Sequence, residues 1–204
     1  PSSRDIAPTK IPAGALEFAT SRLGKVKHVT LDVHTAVCTI VWEGGTVGCF
    51  FTGATDKLGH FRFENLPDTL SVSLQAPRYQ VNEKEQDNKS RTNLVKLGYK
   101  KGKIVKQGDR IVYRQKGYGQ VTYEVALRWE YPDNRTLEGI YCLTTTGTWY
   151  SEPETASEII KKYSLDFQSA LQAHMNWWNK YWVHSSVSLP DSVLENQWYL
   201  EMYK

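Results

Sequence analysis

The hydrophobic pattern of this chain changes its period near residue 151, and that change limits the folds open to it. Before this point apolar residues tend to alternate with polar ones, as they do in half-buried β-strands. After it they recur in steps of three and four, which is typical of one face of an α-helix. The sequence therefore predicts a β-rich first part, residues 1–150, followed by helices.

The clearest predicted strand covers residues 121–131. Every odd-numbered residue in it is apolar or aromatic, while the even-numbered ones include Glu124, Arg128 and Glu130. Alternation over this length predicts that one face packs on a core and that the other faces mostly water. Residues 132–134 supply a turn, and a return strand is expected from residue 136.

Further strands are predicted on both sides of a tight turn. Residues 26–33 and 36–42 are rich in β-branched side chains, and Glu43-Gly44-Gly45 predicts a hairpin return into residues 46–51. About ten short strands separated by regular turns favour an antiparallel β-sandwich.

Two helix starts are marked by residues suited to capping. Thr155 and Glu158 have the spacing of a capping box, in which each side chain satisfies a free amide of the first turn. A long helix is then predicted from about Leu165 to Trp182. Leu189-Pro190-Asp191 opens the last helix, with Asp191 as its N-cap.

Aromatic residues are concentrated on these predicted helices. Four of the seven tryptophans lie there: Trp177, Trp178, Trp182 and Trp198. The first three are expected to face a core, and His174 to be a hydrogen-bonded histidine at an interface. Leu194, Trp198 and Met202 form the stripe expected on the last helix, and burial of such a stripe supplies most of a short helix's stability. We expect uncovered apolar surface at Tyr181, Trp182, Trp198 and Tyr199. Such a patch favours self-association, here through Trp198 and Tyr199.

The charge is unevenly distributed, although the formal net charge is only +3. Between Lys89 and Lys116 there are ten Lys or Arg residues and one acid, Asp109. The segment could bind an acidic polymer, or it could be an exposed Lys-rich hairpin whose charges prevent edge-to-edge aggregation. Nucleic-acid modules usually interleave aromatic residues or carry a recognition motif, so no nucleic-acid partner is predicted.

The remaining composition excludes several classes of site. No run approaches the ~18 apolar residues of a membrane span. The three cysteines, Cys38, Cys49 and Cys142, lie in strand-like segments without CxxC spacing, so neither a disulfide framework nor a zinc site is expected. The histidines form no metal-binding motif. We predict no metal and no cofactor.

The C-terminal aromatic pattern resembles a known enzyme family. Residues 174–203 read H-x-x-W-W-x-x-Y-W, then S-L-P-D, then an aromatic helix. This is similar to the junction in bacterial (α/α)6-barrel glycoside hydrolases of the α-L-fucosidase-like and inverting-phosphorylase-like kind. Residues 24–36 resemble the strand G-x-V-x-x-x-x-L-D-L-x-T-A of their N-terminal β-supersandwich, and residues 42–47 fit the hairpin that follows it.

The resemblance implies a domain plan and a role. Residues 1–150 would form the β-supersandwich, 151–187 a helical linker, and 188–204 the first helix of a truncated catalytic barrel. The chain would be a non-catalytic N-terminal domain that supports the barrel's active site, and its partners would be that C-terminal barrel and the glycan substrate. The parent protein would be a periplasmic or extracellular hydrolase. The alternative is a free-standing, lectin-like β-sandwich that binds carbohydrate.

Candidate site residues are few. Inverting hydrolysis needs two catalytic groups about 6.5–9.5 Å apart, and no motif places such a pair here, so no catalytic residue is assigned. Asp32 is expected to be a hydrogen-bonding residue of a turn or strand end, and Glu195 and Glu201 to be solvated or paired in the barrel. Trp149 and Tyr150 are the candidates for substrate binding, because an aromatic face can pack on the C–H groups of a sugar ring. The alternative, which is favoured, is that they pack between sandwich and linker.

Overall fold

The computed structural model describes residues 13–77, 79, 94, 98–147 and 153–203. In these residues the fold is mainly β, with antiparallel strand pairs and three α-helices. The strands are β1 Ala15–Phe18, β2 Val26–Asp32, β3 Val37–Trp42, β4 Val47–Thr52, β5 Leu58–Glu64, β6 Val72–Gln75, β7 Lys103–Gln107, β8 Arg110–Lys116, β9 Thr122–Asp133 and β10 Thr136–Thr146. The helices are α1 Ala156–Lys162, α2 Phe167–His184 and α3 Ser192–Tyr203, and a short 3-10 helix covers Thr20–Leu23.

The chain divides into two compact units, each assembled from three stretches of sequence. The first unit comprises Pro1–Phe18, Val72–Leu127 and Leu143–Lys162. The second comprises Ala19–Ser71, Arg128–Cys142 and Tyr163–Lys204. Strands β9 and β10 each contribute residues to both units. The predicted boundaries at residues 150 and 187 remain predictions.

The second unit contains the neighbouring strands β2, β3, β4, β5 and β10, in that order. The hairpin predicted at Gly44-Gly45 is confirmed, since β3 and β4 pair with Ile40 opposite Gly48. Gly45 has φ +85°, a conformation that glycine adopts without strain. Phe61 and Leu137 are fully buried in the core of this unit.

The first unit contains the order β10, β9, β8, β7 together with the separate pair β1 and β6. Strand β6 contacts β8, and buried side chains from both, including Val72, Leu74 and Tyr113, belong to the core of this unit. Helix α1 also packs in this unit, where the N–H of Ala156 donates to Oγ1 of Thr144 at 2.8 Å.

The prediction that one face of β9 lies mostly in water is wrong for the half in the first unit. Glu124 is 3% exposed and Ala126 is 0% exposed. They are therefore as buried as the apolar residues on the opposite face of the strand. The cause is α1, which covers this face. The N–H of Ser157 in α1 donates to Glu124. A helix from a distant part of the sequence thus buries a face that the strand's own pattern indicated to be polar.

Both predicted helix starts are confirmed. The Thr155 N–H donates to Oε2 of Glu158 at 2.8 Å, and the Glu158 N–H donates to Oγ1 of Thr155 at 3.4 Å, which completes the capping box. Oδ1 of Asp191 accepts from the N–H groups of Val193 and Leu194, at 2.9 and 3.3 Å. The long helix starts and ends two residues later than predicted, at Phe167 and His184.

Candidate functional site

The two residues predicted to bind substrate, Trp149 and Tyr150, lie outside the described residues. Their proposed role is therefore still a prediction.

Helices α2 and α3 contact each other through aromatic rings. The Trp182 ring lies 5.2 Å from Tyr199 and 6.4 Å from Trp198, measured between centroids. Trp178 lies 5.9 Å from Tyr203. These contacts attach α3 to the rest of the second unit along one side of the helix.

The strand-end loop after β2 completes this aromatic cluster. Nε1 of Trp182 donates to the carbonyl oxygen of His34 at 2.9 Å, and the His34 ring stacks on Tyr199 at 5.1 Å. The Tyr199 hydroxyl donates to the carbonyl oxygen of Val187 at 3.0 Å. Asp32 shapes the loop by accepting from the His34 N–H and the Thr35 hydroxyl, which confirms it as a turn residue.

The expected exposure of the aromatic residues needs correction. Trp182 is only 7% exposed, and Trp198 and Tyr199 are half-buried, because His34 and the facing helix cover them. Trp177, in contrast, is 39% exposed rather than part of a core. Its ring stacks on Tyr181, which is half-buried.

The apolar surface of α3 is larger than the predicted stripe and differently placed. No residue of α3 is buried, and its apolar residues are spread around the helix instead of forming one face. The exposed ones are Val193, Leu194, Leu200 and Met202, of which Leu194 is 60% exposed. The packed side is that of Tyr199 and Tyr203, so Leu194 and Met202 of the predicted stripe lie uncovered. Apolar side chains on α3 thus remain uncovered on sides of the helix that do not face α2.

His174 fixes α2 to the loop between β4 and β5. Its Nδ1 accepts from the Ala54 N–H at 3.2 Å, so the proton of the neutral ring is on Nε2. This confirms the predicted interface histidine. The side chain is 1% exposed, and Nε2 has no acceptor in hydrogen-bonding geometry among the described residues. Burial lowers the pKa of His174, although the carbonyl groups of Thr35 and Ala36 favour its protonation.

A second histidine and a carboxylate lie beside His174. The Phe51 ring is 4.6 Å from both His60 and His174, and Nε2 of His60 is 3.2 Å from Oδ2 of Asp56. Burial opposes ionisation of Asp56, but hydrogen bonds from His60 and the Leu58 N–H outweigh it and lower the pKa. His60 is 5% exposed, so this pair stabilises the loop and is closed to a ligand.

The other acidic candidates on α3 have structural partners. Oε2 of Glu195 accepts from the Leu189 N–H at 2.7 Å, and Oε1 of Glu201 accepts from Gln197 at 2.7 Å. The first bond supports the turn into α3, and the second connects residues one helical turn apart. Both residues thus have partners within the chain, and their predicted pairing in the barrel stays a prediction.

Within the described ranges, no group of three or more His, Cys, Asp or Glu side chains is arranged to hold a metal ion. The three cysteines are free thiols, and burial raises the pKa of Cys49 to about 11, so this thiol remains protonated near neutral pH. Among the described helices, none has both the length and the hydropathy needed to cross a bilayer.

The first unit carries a concave surface that the sequence did not reveal. It lies between the β7–β8 hairpin and α1, and basic side chains line it. The exposed basic hairpin proposed from the sequence is confirmed for residues 103–116. Its approach to α1 could not be read from the sequence, and only the alternate spacing of Arg110, Val112 and Arg114 hinted at a shared face.

No protein-family model matches the chain. A search of curated proteins likewise finds no significant match.

Proposed function

We propose that this chain is the non-catalytic N-terminal domain of a glycoside hydrolase, and that α3 packs against the helices of the catalytic domain. In this proposal the strands belong to a β-supersandwich, α1 and α2 form the linker, and α3 begins an α/α barrel. The glycan is then bound and cleaved mainly by groups of the barrel. A periplasmic or extracellular location follows from the same family resemblance.

The observation that carries the proposal is the uncovered apolar surface of α3. Leu194 and Val193 are 60% and 74% exposed on a helix with no buried residue. Full burial of a Leu or Val side chain contributes roughly 1.5–3 kcal/mol. A partner that covers this surface would therefore stabilise α3, because it would bury several apolar side chains. The helical arrangement implied by the aromatic motif at residues 174–203 supplies such a partner.

The proposal is tested in the complete gene product with a double substitution, Leu194→Glu plus Met202→Glu. Both residues are exposed in this chain, so the chain alone should keep its stability to within about 0.5 kcal/mol. In the complete protein the same change would bury charge at an apolar interface, and glycan hydrolysis and thermal stability should both fall.

Val183→Glu is the matched control, because Val183 is 78% exposed but lies on α2. It should leave the complete protein unchanged. Full activity and stability in the double variant would contradict the docking of α3. A complete gene product that lacks a helical domain with two suitably spaced catalytic groups would contradict the proposed enzyme class. Glycan binding by such a free-standing chain would favour the lectin-like alternative instead.

A further inference from the structure

The first unit has a cavity of about 310 Å³ between the β7–β8 hairpin and α1, hereafter the basic groove. This volume is at the lower end of the range for small-ligand sites. Among the described residues that line it, four are cationic, Lys103, Arg110, Arg114 and Lys161, and none is acidic. The side chains that line the groove therefore carry a net positive charge.

The register of the hairpin explains how the cations meet on one face. Lys103 is opposite Arg114, Val105 is opposite Val112, and the next pair along joins Gln107 to Arg110. Residues at alternate positions of paired strands point to the same side. The groove consequently has cations near both ends and a valine pair between them. The intervening residues of β8 are buried on the other face.

Few carboxylates offset these cations. Glu124 accepts from both Nε and Nη2 of Arg114 and from the Ser157 N–H. Burial opposes ionisation of Glu124, but these bonds outweigh it and keep its pKa below the usual value. Glu124 therefore holds Arg114 in place beside α1. Arg110 pairs with Asp109 at 3.3 Å, but both side chains are more than 40% exposed, so water screens that pair.

Lys103 and Lys161 add further positive charge to the groove, and Glu158 on α1 offsets part of the Lys161 charge. Lys103 lies opposite another cation, Arg114, which is unfavourable unless an anion lies near both. Glu158, the acid one turn from Lys161 on α1, is bonded to the N–H and the hydroxyl of Thr155. Glu124 already offsets the charge of Arg114, and an anionic ligand would offset that of Lys103 as well.

A second cavity adjoins the basic groove through Arg114. It measures about 300 Å³, and it is lined by Arg114, Lys116, four threonines (Thr122, Thr144, Thr146 and Thr155) and one carboxylate, Glu124, whose charge Arg114 offsets. Because Arg114 lines both cavities, a ligand longer than one ring could occupy the two together. Hydroxyl groups both donate and accept hydrogen bonds, which suits a ligand rich in hydroxyls.

We propose that the basic groove and the threonine cavity bind an acidic glycan, a polysaccharide segment whose sugars carry carboxylate or sulfate groups. The anionic group pairs with the cations, the C–H face of a ring packs on Val105 and Val112, and sugar hydroxyls bond to the threonines. Single-stranded nucleic acid fits less well, because none of the described residues that line either cavity is an aromatic residue able to stack on a base. The inference goes beyond the proposed role of α3 and does not depend on it.

Isothermal titration of the purified chain tests this proposal with four probes of similar length. These are an oligogalacturonate, a sulfated heparin-derived oligosaccharide, neutral maltohexaose and single-stranded oligo-dT. We expect one of the two acidic glycans to bind, with an affinity that falls as salt rises. The better acidic probe then identifies carboxylate or sulfate as the recognised group.

Substitutions then locate the site. Arg110→Gln and Lys161→Gln should each weaken acidic-glycan binding about tenfold, the effect expected for one charge-assisted contact. Lys180→Gln is the control, because Lys180 is an exposed lysine on α2 in the second unit. Arg114 is left intact, since its loss would also free Glu124. Circular dichroism checks that each variant is folded.

Four results would overturn the inference. They are no binding of either acidic glycan, equal binding of maltohexaose, tighter binding of oligo-dT than of both glycans, or an equal effect of the groove and control substitutions. Weakening confined to the groove variants would support it.

Discussion

Acidification should destabilise the second unit through His174 well before its carboxylates titrate. Burial lowers the pKa of His174 below 6.5 in the folded chain, whereas the unfolded chain has an ordinary histidine. Between the two pKa values the unfolded state binds more protons, so the free energy of unfolding rises with pH. The stabilisation is complete above about pH 6.5 and is lost as pH falls toward the folded-state pKa.

The size of this pH effect on the free energy of unfolding follows from the single proton that His174 binds. The slope is at most about 1.4 kcal/mol for each pH unit between the two pKa values. The groups that face His174 are Asp56, whose charge favours protonation, His60, whose charge opposes it, and the carbonyls of Thr35 and Ala36. The pKa of Asp56 is itself lowered below 3.8. Its contribution is therefore lost only at more acidic pH, outside the window in which His174 acts.

Urea unfolding followed by tryptophan fluorescence at pH 7.5, 6.5, 5.5 and 5.0 measures this slope. His174→Asn keeps an oxygen that can accept from the Ala54 N–H but cannot titrate. The advantage of the unsubstituted chain over this variant should shrink below pH 6.5. His184→Asn, on the exposed end of the same helix, should leave the slope unchanged. Equal slopes for the unsubstituted chain and His174→Asn would refute the reasoning.

Three further substitutions test the packing by the same unfolding assay. Trp182→Ala should cost about 3–5 kcal/mol because the ring is buried, and Trp182→Phe should cost less; the reverse order would contradict this packing. Glu124→Ala should cost about 1–3 kcal/mol by leaving the Ser157 N–H without its acceptor, whereas Glu124→Gln retains an oxygen and should cost less. Gly139→Ala should cost about 1–3 kcal/mol, because its Cβ would lie 2.4 Å from the fully buried Phe61 ring, and an unchanged midpoint would disprove that close contact.

Features fixed by neighbouring residues were predictable from the sequence. The Gly44-Gly45 hairpin depends on two glycines at a turn, and the caps at Thr155 and Asp191 depend on side chains within three residues of the amides they bind. The alternation in β9 likewise identified the strand. It failed for the face that carries Glu124, because α1, more than thirty residues further along the chain, covers that face.

The candidate site depended more on distant contacts, and less of it was predictable. The sequence identified α3 as a helix with an apolar stripe, but the covered side is set by Trp182 and by His34, a residue far earlier in the chain. The basic hairpin was also identified. The groove required the register that sets Lys103 opposite Arg114 and the approach of Lys161 from α1, neither of which composition can indicate.

The central proposal, that α3 packs against further protein, is tested most directly by methionine oxidation. The sequence has two methionines, and Met202 on α3 is exposed while Met175 on α2 is half-buried and serves as the internal reference. Peroxide oxidation of Met202, measured by mass spectrometry, should be fast in this chain and strongly slowed in the complete gene product. Equal oxidation rates for Met202 in the two proteins would contradict the proposal.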